Sequence, residues 1–149
     1  MRLGRFFTLA ELTFSQTAAR RGLDNSPSPE VVANLRALVQ NVLDPLRVSL
    51  GSPVVISSGY RSRAVNEAIG GSLTSQHMFG QAADFTVPGK SVAEIINHIQ
   101  KINLPFDQLI DEFGRWIHVS HGPRNRRQVL RARRVGGRTT YEGVADAQR

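Results

Sequence analysis

The chain has 149 residues, among them 17 Arg, only 2 Lys and no cysteine, and its formal net charge is +7. The length suits one compact domain of roughly 100–150 residues, long enough to bury a core without covalent staples. Disulfides, thiolate zinc sites and a cysteine nucleophile are excluded, so any metal must be held by His, Asp or Glu. The positive charge favours a polyanionic neighbour (nucleic acid, an anionic envelope or an acidic membrane surface) and says nothing about chemistry; a GC-rich genome would give the same Arg-for-Lys bias.

The start, MRLGRFFTLAEL, is basic but has no apolar signal-peptide core and no small-residue cleavage site. No apolar run is long enough to cross a bilayer. The expectation is synthesis in the cytoplasm, with any export by another route.

Thr8-Leu9-Ala10-Glu11 has the pattern of a capping box and opens a short helix at Leu9, ended by Arg20, Arg21 and Gly22. Ser28 as N-cap and Pro29 in the first helical position open the next. There Val31, Val32, Leu35, Leu38, Val39, Val42, Leu43 and Leu46 form one apolar stripe, and Pro45 is expected to end or kink the helix. Residues 53–60 read as a short buried strand running into a turn, and 63–69 as a short helix closed by Gly70-Gly71. A Ser/Thr-rich loop over 72–76 then leads to His77.

Residues 82–87 read as a second strand. Ser91-Val92-Ala93-Glu94 is another capping box, opening a helix to about Lys101 with Val92, Ile95, Ile96 and Ile99 on its apolar side. Residues 106–113 and 116–120 read as paired strands around Gly114-Arg115, and 128–141 as a last hairpin turning at Gly136-Gly137. The organisation is one α+β domain over 1–149, with an N-terminal helical segment at 1–30 and a basic tail or hairpin at 123–149.

Four histidines are present: His77, His98, His118 and His121. Asp84 lies in the small-residue strand Ala82-Ala83-Asp84-Phe85, where an ionised carboxylate is costly unless something pairs with it. No Lys or Arg is near it in sequence, so a metal is a natural partner. His118 interrupts the apolar run Trp116-Ile117-His118-Val119. Two His and one Asp make a catalytic type of zinc set, leaving a fourth position for water, whose pKa falls from about 15.7 to roughly 7 on the metal. Simple hydrogen bonding among these residues is the competing explanation.

The stretches Ser57-Ser58-Gly59-Tyr60-Arg61-Ser62, Gly71 to Phe85 and Trp116-Ile117-His118-Val119-Ser120 contain Ser-x-His, Gly-x-Ala-x-Asp and Trp-x-His in order. In this the chain resembles the zinc D-Ala-D-Ala carboxypeptidase family, grouped with lysostaphin-type peptidases and hedgehog signalling domains, and in particular its compact phage-type branch. The resemblance runs from about Phe7 to Gly122. It implies a small, mainly antiparallel sheet that carries zinc and is flanked by helices. It also implies that His77, Asp84 and His118 are the ligands of Zn2+. Arg61 resembles the family's arginine after Ser-Gly-Tyr, suited to a peptide carboxylate or an oxyanion. Ser75 either hydrogen-bonds substrate or structures its loop, and Tyr60 and Asn66 are scaffold. Gly80 and Ala82 let loop and strand approach the metal, or serve ordinary turn and packing needs.

Many relatives place an acid three residues before the last ligand, where this chain has Arg115. The general base is then Glu112 or Asp111, and the Glu-Phe pair before the final strand resembles the phage-type branch and favours Glu112. A two-residue turn at Gly114-Arg115 would instead put Asp111 opposite His118; a bulge or longer turn would reverse this. His98 sits off its helix's apolar stripe and is expected in solvent. His121 has the wrong parity to share a strand face with His118, yet it could line the mouth of the site and steady an oxyanion.

The basic run from Arg124 to Arg134 has no aromatic residue until Tyr141, so it lacks stacking platforms for single-stranded nucleic acid. It reads as a cationic face towards an anionic cell wall, or as a merely solvated one. The function implied by the resemblance is hydrolysis of a peptidoglycan stem-peptide bond involving D-alanine, as carboxypeptidase or endopeptidase. The implied setting is a monomeric phage or prophage lysis enzyme acting at the periplasm or wall, with no nucleic-acid partner and no membrane insertion. Two alternatives stay open: a cytoplasmic D-Ala-D-Ala dipeptidase, and a non-catalytic zinc-containing wall-binding module, which the missing acid at position 115 keeps open.

Overall fold

Hydroxyl side chains start most of the helices. In the computed structural model, which describes residues 1–144, Thr8 and Glu11 cap each other's backbone at the start of α1 (Leu9–Thr13). Extended backbone at Phe14 and Ser15 then breaks the segment expected to be one helix. Ser15 caps a second, α2 (Gln16–Arg21), which ends on Gly22 at a φ of 64°. Residues 145–149 of the expected basic tail lie outside the described residues.

Ser28 caps α3 (Pro29–Leu38), and the helical rod does not stop at Pro45. It widens into a π-helical turn, Val39–Leu43, and continues as α4 (Asp44–Leu50). Proline has no N–H and crowds the carbonyl four residues back. A wide turn just ahead of it accommodates both defects, with the Asp44 N–H bonded to the Val39 carbonyl five residues earlier. Leu35, Leu38, Val39, Val42, Leu43 and Leu46 are fully buried along the rod, each worth roughly 1.5–3 kcal/mol of transfer free energy.

The rod shares one buried core with a six-stranded sheet of order β1-β2-β4-β3-β5-β6. Its strands are β1 (Val55–Ser58), β2 (Ala82–Thr86), β3 (Gln108–Glu112), β4 (Trp116–Ser120), β5 (Gln128–Val135) and β6 (Arg138–Gly143). All neighbours are antiparallel except β3 and β5, which run parallel. Two short helices complete the order: α5 (Arg63–Ala68) under the Ser62 cap, and α6 (Val92–Ile102) under the expected Ser91/Glu94 capping box.

Alternation along the strands separates two faces. Ala83, Phe85, Leu109, Ile117 and Val119 point into the core together with Ile95, Ile96 and Ile99 of α6. Asp84, Ile110, Glu112, Trp116 and His118 fall on the other face by register. The first strand is not buried as expected: it is an edge strand with a single neighbour, and Val55 is 47% exposed. A register shift between Ile56 and Ser58, opposite Phe85 and Asp84, turns the chain towards Gly59. At the other edge, Gly136 and Gly137 (φ 58° and 78°) make the two-residue turn between β5 and β6. Among the described residues no helix is long and apolar enough to cross a membrane.

Candidate metal centre

His77 sits on a 3-10 turn (Gln76–Phe79) rather than in an irregular loop. Ser75 opens that turn, its Oγ accepting from the His77 N–H at 3.2 Å, which is the loop-structuring one of its two expected roles. Gly80 closes it at a φ of 71°, and a Cβ there would lie 2.8 Å from the Val31 carbonyl oxygen. The smallness of Gly80 therefore serves the turn and its packing on α3.

The His77 ring is buried, with Nδ1 2.7 Å from the Gly59 carbonyl oxygen. A carbonyl can only accept, so Nδ1 carries the proton and the Nε2 lone pair faces inward. There Nε2 meets Asp84 Oδ1 at 3.2 Å, and the same oxygen lies 2.9 Å from His118 Nδ1. Asp84 and His118 are brought together because they are direct partners across β2 and β4. Burial lowers the proton affinity of His77, against the pull of Asp84. Burial also opposes the charge of Asp84, but His77 and His118 outweigh it and hold the carboxyl well below the usual range. The direction at His77 favours a neutral imidazole, and the direction at Asp84 an ionised carboxylate. Two electron-rich atoms facing each other at that distance call for a cation between them, so the donor set fits a metal. The ligand atoms of the three residues all lie within 4.8 Å of one another.

Space supplies one neighbour that sequence distance hid. Arg61 Nη2 stands 3.9 Å from Asp84 Oδ2, leaving Oδ1 to the imidazoles. Its backbone N–H bonds to the His77 carbonyl, and Nη1 makes a long 3.5 Å contact with Asn66 Oδ1. Among the described residues, the buried Arg61 Nε–H has no hydrogen-bond partner. Asn66, itself buried, donates to the Ser72 carbonyl and so holds the loop beside the guanidinium.

Turn length sets which of the two acids shares the face of His118. Three residues separate β3 from β4, with Phe113 and Gly114 both at positive φ (60° and 69°). Glu112 then pairs with Trp116 and Asp111 with Ile117, so Glu112 lies on the face of His118. Burial raises the Glu112 pKa above its ordinary value; His118 opposes this, and Asp84 and Asp111 add to it. Asp111 is on the opposite face, its Oδ1 accepting from the Gly114 N–H at 2.8 Å.

Arg61, Ser75, His77, Asp84, Glu112 and His118 line one open cleft of about 580 Å³. His121 is not part of that lining; its backbone N–H bonds to the Gln81 carbonyl. His98 is partly buried rather than solvated, with Nε2 2.7 Å from Ser49 Oγ where α6 meets α4. Sequence reasoning missed two contributors. Tyr141 lines the cleft from β6. Asp107, fully buried, accepts from the Arg126 backbone N–H and guanidinium and from Gln76 Nε2. Asp107 could be suspected only as the one charged residue in the stretch 102–110.

A Cβ on Gly59 would lie 2.3 Å from the Leu12 carbonyl oxygen, which is itself held by the Tyr60 N–H. Gly59→Ala is therefore expected to displace the carbonyl that orients His77 and to weaken zinc binding about 10–100-fold, as loss of an outer hydrogen-bond partner does. Competition with a chelator of known affinity measures this. Unchanged zinc affinity in a folded variant would show that the Gly59 carbonyl does not set the ring.

A family model described as Peptidase M15 matches residues 5–120. No curated protein matches the chain.

Proposed function

Because the chain belongs to the peptidase M15 family of zinc-dependent enzymes, we propose that His77, Asp84 and His118 hold the zinc of a peptidase acting on bacterial cell-wall peptide. The bond cut is a peptidoglycan stem-peptide bond involving D-alanine. The observation that carries this reading is the meeting of two imidazoles on one half-buried carboxylate oxygen, in a cleft that also presents Glu112 and Arg61.

Zinc at this position supplies Lewis acidity and brings the pKa of water towards roughly 7. Glu112 takes up the proton at its carboxylate and returns it to the leaving amine, a role suited to a carboxyl whose pKa burial has raised. Arg61, in the cleft lining, offers its guanidinium N–H groups to the scissile carbonyl oxygen or to the terminal carboxylate of the peptide. Asn66 and the His77 carbonyl keep Arg61 in place. His121, outside the cleft lining, takes no part in this scheme. The net charge of +7 suits an anionic wall, and the reading extends to a monomeric phage or prophage lysis enzyme acting there.

The test is to incubate zinc-loaded protein with purified peptidoglycan and, separately, with free D-Ala-D-Ala, and to identify the products by mass spectrometry. Release of D-alanine or opening of cross-links is expected. Cleavage of the free dipeptide alone would move the enzyme to a soluble substrate. Binding to the wall without cleavage of either substrate would leave a wall-binding module.

A further inference from the structure

The segment matched by the family ends at residue 120, yet part of the cleft wall comes from beyond it: Arg124 and Arg126, then Leu130 and Tyr141 of the β5–β6 hairpin. Register places Tyr141 there. Trp116 pairs with Glu112, Glu112 with Ala132, and Ala132 with Tyr141, so these four residues form one row across β4, β3, β5 and β6. Directly paired residues share a face, and this row is on the face of His118 and Asp84. A one-residue slip of β6 would send Tyr141 to the other side.

Ala132 is fully buried and has only a methyl group. It separates Glu112 from Tyr141 by two strand spacings, about 10 Å between backbones, and leaves the room above it to the phenol and the carboxylate. Tyr141 remains 56% exposed, open to the cleft. Its hydroxyl makes no hydrogen bond with a described residue. Burial raises the phenol pKa, with Glu112 and Asp84 adding to the effect, so the O–H stays a donor at neutral pH. Arg61 follows β1 at one edge of the sheet and Tyr141 is on β6 at the other, with Asp84, His118 and Glu112 on the strands between.

We propose that Tyr141 is a further catalytic residue, whose hydroxyl donates a hydrogen bond to the scissile carbonyl oxygen as negative charge develops there, from the side of the cleft away from Arg61. The hairpin is thus part of the active site. The inference rests on the hydrolytic reading above. No bond to Tyr141 forms and no proton leaves it.

Tyr141→Phe keeps the ring and removes only the donor. Its kcat on wall peptide should fall about 100-fold, the low end for loss of one oxyanion donor, with KM, zinc content and melting temperature unchanged. Affinity for a phosphinate analogue of the peptide, whose tetrahedral anion imitates the charged intermediate, should fall by a similar factor. Wild-type kcat in Tyr141→Phe, or a change confined to KM, overturns the proposal. If zinc-loaded wild type cuts no peptide, the hydrolytic reading has failed. The phosphinate comparison still decides on Tyr141, because equal affinities of wild type and variant would exclude the donor role.

Discussion

Glu112→Gln is expected to retain zinc and to lose hydrolysis, with kcat lower by about 10³-fold, within the usual range for a general acid–base group. The amide keeps the shape of the side chain but cannot take up a proton. The expectation follows from one feature of the chain path. Were the β3–β4 turn two residues long, Asp111 would stand opposite His118; with three residues, Ile110 does, and Glu112 lies one step along the same face. Asp111 is occupied by the Gly114 N–H and lies within 3.8 Å of Arg131, so Asp111→Asn should change kcat by only a few-fold. Steady-state kinetics of both variants, with bound zinc quantified, distinguish the two acids. Full activity in Glu112→Gln together with loss in Asp111→Asn would reverse the assignment.

Features encoded in neighbouring residues could be read from the chain alone. The two capping boxes need only a hydroxyl and a Glu three positions apart, and both form. The apolar stripe from Val31 to Leu46 depends on helical spacing, which a π turn disturbs little, so the core positions stood even though the effect of Pro45 did not. Asp84 drew attention because a carboxylate between Ala83 and Phe85 needs a partner, and it meets two histidines. What escaped depends on pairing between distant segments. Arg61 reaches Asp84 only because β1 shifts register before Gly59. Tyr141 reaches the cleft only because β5 runs parallel to β3, and local patterning does not encode which strand an edge hairpin joins. The stripe of its own helix puts His98 towards solvent, but the Ser49 hydroxyl that it meets belongs to another helix.

Asp107 ties these distant pieces together, and replacing it should cost stability in a way that depends on acidity. Its carboxylate is fully buried and joins the chain after β4, through Arg126, to Gln76, the residue before His77. Hydrogen bonds from the Arg126 side chain, aided by its backbone N–H and charge and by Gln76, outweigh burial and lower the pKa to about 2. In the unfolded chain the same carboxyl titrates near 3.9. The stabilisation is therefore fully present above about pH 4 and is lost as pH falls towards about 2, where the folded carboxyl is also protonated. Arg126 is 31% exposed, so the deficit of Asp107→Asn should be about 2–3 kcal/mol at pH 7, below what a fully enclosed pair would show. Urea melts of wild type and Asp107→Asn at pH 7, 4 and 2.5 give the difference directly, since the other carboxylates titrate in both proteins. That difference should hold from pH 7 to about 4 and shrink below it. A deficit independent of pH would mean that Asp107 acts through shape and neutral hydrogen bonds, and that its charge does not hold the chain after β4 to the His77 turn.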